Sequence, residues 1–137
     1  MKRTGSAVWN GSGKEGKGKL STQSGVLKDT QYSYLSRFEE GIGTNPEELI
    51  GAAHAGCFSM KLSFLLDGAG LTADSINTTA TVSLENGAIG EIHLECTAKV
   101  PNAEAAKFQE LAKEAKETCP VSKLLTGAKI TLGAKLV

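Results

Sequence analysis

The sequence has no charge of either sign to spare, with 15 Lys and Arg against 15 Asp and Glu. That balance removes the electrostatic case for nucleic acid or an anionic membrane as partner, since both recruit proteins through surplus basic side chains. Cysteine is scarce as well: Cys57, Cys96 and Cys119 are an odd three without a Cys-x-x-Cys pair. This argues against a disulfide scaffold, a four-cysteine zinc site and a thioredoxin-type motif, while leaving thiol chemistry open. The opening MKRTGSAVWNGS lacks the apolar run of a secretory signal, so a cytoplasmic protein with reduced thiols is expected, and the sequon at Asn77 carries no meaning. Internal repeats are absent. At 137 residues the chain is expected to form one domain, residues 1–137, with a real core.

What is present is organised around Asn45–Gly70, NPEELIGAAHAGCFSMKLSFLLDGAG. Asn45 can cap free amides, Pro46 suits the first helical position, and Glu48 stands at capping-box spacing from Asn45. Glu47 and Glu48 favour the positive end of the dipole, and Gly68 and Gly70 supply the stop. A helix from Pro46 to Ala69 would be roughly 36 Å long. Leu49, Ile50, Ala52, Ala53, Ala55, Phe58, Met60, Leu62, Phe64, Leu65 and Leu66 leave almost no face for water, so it must be covered on all sides. Glu47, His54, Lys61 and Asp67 interrupt any uncharged run long enough to span a bilayer, and no membrane partner is expected.

Around this helix the pattern is mainly that of strands. Ala7–Trp9 and Lys19–Thr22 face each other across NGSGKEGKG, a loop that imitates G-x-G-x-x-G and nearly a P-loop. No helix follows it, so a glycine-rich hairpin is expected rather than a phosphate cradle. Gln31–Phe38 alternates as a strand with Arg37 on the face of Leu35. Residues 76–85 and 92–100 alternate on either side of Asn86-Gly87, placing Cys96 in the core and His93 on the wet face. An amphipathic helix opening at Pro101 or Asn102 carries Ala105, Phe108, Leu111, Ala112 and Ala115 on one stripe. Pro120 can then begin a short helix after Cys119, and Ala128–Leu136 closes as a strand. This order, without a βαβ rhythm, indicates an α+β fold with mostly antiparallel pairing.

Two cysteines have a means of reacting. Cys119 stands before a helix start, and dipole reasoning alone ranks it first as nucleophile. Cys57 lies about three turns inside its helix and needs a cation from elsewhere, with His54 at i−3, Lys61 at i+4 and Glu47 near the same stripe. A Cys57/His54 nucleophilic pair and a zinc site of His54, Cys57 and Cys119 are weaker readings. A further alternative is a non-catalytic stress or binding module in which all three cysteines are merely buried.

RFEEGIGTNPEELIGAAHAGCFSM, followed much later by CPVSKLL, resembles the OsmC/Ohr family of thiol-dependent peroxidases, on the OsmC side, over nearly the whole chain. The resemblance implies an OsmC-like α+β fold, a long apolar helix packed on mostly antiparallel sheet, and an intertwined homodimer. It implies Cys57 as the peroxidatic cysteine, Cys119 as the resolving one, and Arg37 and Glu47 as the polar part of the site, with Glu48 less securely placed. The implied activity reduces organic hydroperoxides, and hydrogen peroxide more weakly, through a Cys57 sulfenic acid that Cys119 resolves to a disulfide. An external dithiol, such as a lipoyl-type one, would reset the disulfide, and neither cofactor nor metal is implied. Arg37 would face the thiolate and a peroxide oxygen while Glu47 locks it by a bidentate pair. Phe58 would line an apolar approach.

Overall fold

Trp9 folds the N-terminal glycine loop into place. In the computed structural model, which describes residues 1–137, strands β1 (Gly5–Asn10) and β2 (Lys17–Thr22) pair antiparallel across that loop. The Trp9 indole N–H donates to the carbonyls of Gly11 and Ser12, at 3.1 and 3.3 Å, and a side chain at buried Gly16 would collide with the Ser12 and Asn10 carbonyls and the Trp9 indole nitrogen. A strand follows rather than a helix, as the hairpin reading expects. β2 pairs with β3 (Thr30–Ser33), again antiparallel, and the Tyr32 ring packs on that of Trp9 at 5.4 Å.

The strand expected over Gln31–Phe38 stops at Ser33 and becomes α1 (Tyr34–Phe38). Ser33 caps it: its Oγ accepts from the Ser36 N–H, and Ser36 Oγ accepts from the Ser33 N–H. This reciprocal cap supplies two free amides with partners and outweighs a period-2 pattern only eight residues long. Arg37 is therefore a helical residue, not a strand one. These elements belong to one compact unit, Met1–Leu49, and the rest of the chain, Ile50–Val137, to a second. The chain passes from one to the other within α2 (Pro46–Gly68).

α2 starts and stops where its signals stand. Asn45 Oδ1 accepts from the Glu48 N–H at 2.8 Å. At the other end Gly70 takes φ +76°, with Leu71 N–H bonded to Leu66 O and Gly70 N–H to Asp67 O, the paired pattern of a Schellman stop. By length and composition α2 could cross a membrane. Instead Gly51, His54, Phe58, Leu62 and Leu66 form a buried stripe.

Phe58, Leu62 and Leu66 pack in the second unit against a sheet ordered β4 (Ser75–Glu85), β5 (Ala88–Lys99), β6 (Lys129–Leu136). Asn86 and Gly87 turn β4 into β5 at φ +51° and +76°, the geometry the Asn-Gly pair favours. β4 and β5 are antiparallel, but β5 and β6 run parallel. The connection between these two is α3 (Ala105–Thr118) followed by α4 (Pro120–Leu124). α3 starts later than its sequence signals suggest, because Asn102 sits in the left-handed region at φ +66° and turns the chain instead. Phe108, Leu111, Ala112 and Ala115 face the same core, while Ala105 stays exposed. Cys96 is wholly buried there, as its place in the alternation indicates.

Candidate active site

The expected polar pair is assembled in the first unit. Ser36 Oγ donates to the Thr44 carbonyl at 2.8 Å, and the Asn45 amide donates to the Ser36 carbonyl at 3.0 Å. These two bonds tie α1 to the start of α2 and bring Arg37 to Glu47. Arg37 Nε reaches Glu47 Oε1 at 3.1 Å and Oε2 at 3.3 Å, and its Nη2 reaches Oε1 at 2.7 Å. Burial pushes the Glu47 carboxyl up, but the Arg37 hydrogen bonds, a backbone amide and the Arg37 charge win and hold it below its ordinary value. The guanidinium also stacks 5.1 Å from the Phe38 ring. Beside it opens a pocket of about 230 Å³ lined by Trp9, Tyr32, Tyr34 and Phe38. Glu48 turns away from this pair and accepts from the Thr44 hydroxyl at 2.6 Å.

The two expected cysteines meet in the second unit. Cys57 Sγ and Cys119 Sγ are 3.0 Å apart, and both are free thiols. A disulfide needs them about 1 Å closer. Cys57 is partly exposed and Cys119 wholly buried. Cys119 also caps α4: its sulfur accepts from the Ser122 N–H at 3.4 Å.

Burial alone would raise the Cys119 pKa. Hydrogen bonds from Cys57, from the Ser122 N–H and hydroxyl, and from Val121 more than offset it, so the net direction is down. Cys57 is pushed up by burial, by its hydrogen bond to Cys119 and by the charge there, against one N–H from Val121. Dipole reasoning from the sequence pointed the same way, but α4 is only five residues long, so individual N–H groups rather than a dipole are responsible.

The OsmC family profile, described as OsmC-like protein, matches residues 39–133. The chain belongs to the OsmC family. It is 50% identical to the Peroxiredoxin OsmC of Escherichia coli, covering 98% of this chain and 96% of that one. To an organic hydroperoxide resistance protein of Xanthomonas campestris it is 34% identical, over 64% of this chain and 63% of the relative. Among solved structures, an organic hydroperoxide resistance protein from Elizabethkingia anophelis superimposes with a TM-score of 0.72 at 25% identity, covering 100% of this chain and 99% of that one.

Against the OsmC-family expectation, one residue is displaced and others were overlooked. Phe58 has no exposed surface and is a core residue, so it lines no approach; of the aromatic side chains beside Arg37, Phe38 is exposed while Trp9, Tyr32 and Tyr34 are half-buried. His54 does not pair with Cys57. Its Nε2 is bonded to Ser122 Oγ at 2.7 Å. Ser122 and Thr44 escaped the reading of the sequence, although Ser122 stands three residues after Cys119, the cap-to-amide spacing that brings its N–H to the sulfur.

Proposed function

We propose that the chain is a cysteine-based peroxidase that reduces organic hydroperoxides to alcohols, and hydrogen peroxide more weakly, as one OsmC-like domain over residues 1–137. The observation that carries the reading is the free Cys57–Cys119 pair, two sulfurs 3.0 Å apart of which one is reachable and one is not. The names of the relatives, peroxiredoxin and organic hydroperoxide resistance protein, agree with it.

Exposure supports one order of events. A peroxide has to touch the sulfur that attacks it, and Cys119 has no exposed surface; Cys57 is therefore the nucleophile and Cys119 resolves. Cys57 Sγ attacks the terminal oxygen of ROOH, forming an S–O bond as O–O breaks. Cys57 attacks as the thiolate, and the departing alkoxide takes up the one proton of the Cys57–Cys119 pair and leaves as ROH. Cys57 is then a sulfenic acid and Cys119 a thiolate. Cys119 attacks the Cys57 sulfur, the S–O bond breaks, and hydroxide leaves as the disulfide forms. An external dithiol of the lipoyl type returns two electrons and two protons by exchange.

Arg37 is assigned to the reaction on the motif that carries it, RFEE ahead of NPEEL. Nε and Nη2 are held by Glu47, which leaves the other N–H groups for a peroxide oxygen as the O–O bond stretches. The aromatic pocket beside Arg37 suits the carbon part of an organic hydroperoxide. The protein works as a homodimer in the cytoplasm, without nucleic acid or membrane as partner.

The test is consumption of tert-butyl hydroperoxide with dihydrolipoamide as reductant, followed by intact mass. Cys57→Ser is expected to consume none and to form no disulfide. Cys119→Ser is expected to take the first step and accumulate a Cys57 sulfenic acid that dimedone traps. A sulfenic acid on Cys119 in Cys57→Ser would reverse the two roles. Absence of turnover, with all three thiols inert to a thiol reagent, would leave the non-catalytic module.

A further inference from the structure

His54 is a buried titratable group for which the cycle above has no use. It has no exposed surface, its Nε2 lies 2.7 Å from Ser122 Oγ, and its Nδ1 is buried without a partner. A buried N–H without an acceptor is rarer than an acceptor without a donor, so the proton belongs on Nε2 and the lone pair on Nδ1. Nε2–H therefore donates to Ser122 Oγ. The serine oxygen is occupied as acceptor, and its own proton is free to point elsewhere.

The neighbour that can use it is Cys119. Ser122 already gives its backbone N–H to Cys119 Sγ at 3.4 Å, and Ser122 is itself buried. We propose that His54 and Ser122 form a buried donor chain, His54 Nε2–H to Ser122 Oγ–H to Cys119 Sγ, that holds Cys119 as an aimed thiolate for disulfide formation. Both are positioning residues of the resolving half of the cycle, and neither touches the hydroperoxide. The inference rests on Cys119 being the resolving sulfur.

Burial holds the His54 ring below its usual pKa, which keeps it a neutral, single-tautomer donor. It takes no proton from Cys57 and is not that residue's base. In the resolving step the Cys119 sulfur forms the new S–S bond as hydroxide leaves Cys57. The two donors turn from Cys119 as its charge is consumed, and no proton needs to pass along the chain.

Single-turnover experiments with tert-butyl hydroperoxide separate the halves, reading hydroperoxide consumption against disulfide appearance by quenched intact mass. In Ser122→Ala, consumption is expected at the wild-type rate. Disulfide formation is expected about tenfold to a hundredfold slower, the loss of one hydrogen bond to a charged group. Dimedone-reactive Cys57 should accumulate, and Ser122→Thr, which keeps the hydroxyl, should recover most of the rate. His54→Gln, whose amide N–H reaches the Nε2 position, should behave like wild type, whereas His54→Leu should resemble Ser122→Ala. Equal slowing of both halves in His54→Leu and Ser122→Ala would show a merely structural role and overturn the proposal. So would wild-type resolution in Ser122→Ala. A wild-type protein that consumes no hydroperoxide would instead bring down the peroxidase reading itself.

Discussion

At the scale of single residues, the Arg37–Glu47 pair and the Cys57–Cys119 pair rest on different physics. Arg37 holds Glu47 through shape as much as charge, because a guanidinium gives it two N–H groups and keeps others free. Arg37→Lys is thus expected to lose activity by ~10²-fold although its charge remains, the scale of removing one aimed donor from a developing anion. Near wild-type turnover of an alkyl hydroperoxide by this variant would take Arg37 out of the site. Glu47 adds a pH dependence of known sign. Its carboxyl lies below the ordinary value when folded because Arg37 outweighs burial. Its contribution to stability is therefore present above the unfolded carboxyl pKa and is lost as pH falls through the folded one. Urea midpoints between pH 6 and pH 3 should fall more in wild type than in Glu47→Gln; parallel curves would contradict this. The family motifs pointed to Cys57, Cys119, Arg37 and Glu47, and the structure pairs them two by two. The His54–Ser122 bond was not legible in the sequence, since its partners are 68 positions apart and a histidine three residues from a cysteine draws attention to that cysteine instead.

At the scale of elements, legibility followed the number of independent signals at each boundary. α2 had a cap, a proline, two early acids, an apolar run and terminal glycines, and its observed ends are those signals. Asn45→Ala should accordingly destabilise the protein by about 1 kcal/mol, read as a shift in the urea midpoint. An unchanged midpoint would mean that the Asn45 Oδ1–Glu48 bond contributes nothing. α1 had one misleading signal, an alternation of aromatic and polar residues, and the deciding one, Ser33 three residues before Ser36, lies inside it. The parallel pairing of β5 and β6 was hidden for another reason. Alternation states which face a strand buries but carries no direction, and only the crossover through α3 and α4 sets it.

At the scale of the whole molecule, the surface of α2 decides what must surround it. One stripe of the helix is buried, yet Met60 and Phe64 remain 65% and 66% exposed. Lys61 and Asp67 are the nearest charges, and between them every residue is apolar or serine. Adjacent large apolar side chains of this kind mark an interaction surface rather than a solvated one. A second copy of the chain offers the same surface, and a two-fold axis would set helix against helix. The protein is therefore expected to sediment as a homodimer at micromolar concentration, and to do so as a condition of its fold. If folding and association are one event, stability should rise by about 1.4 kcal/mol for each tenfold increase in concentration, which denaturant curves at 1 and 100 micromolar would resolve. Phe64→Glu would place a charge in the paired face and should yield a monomer of lower stability. An active wild-type monomer, with denaturation midpoints independent of concentration, would show that water is what these side chains meet.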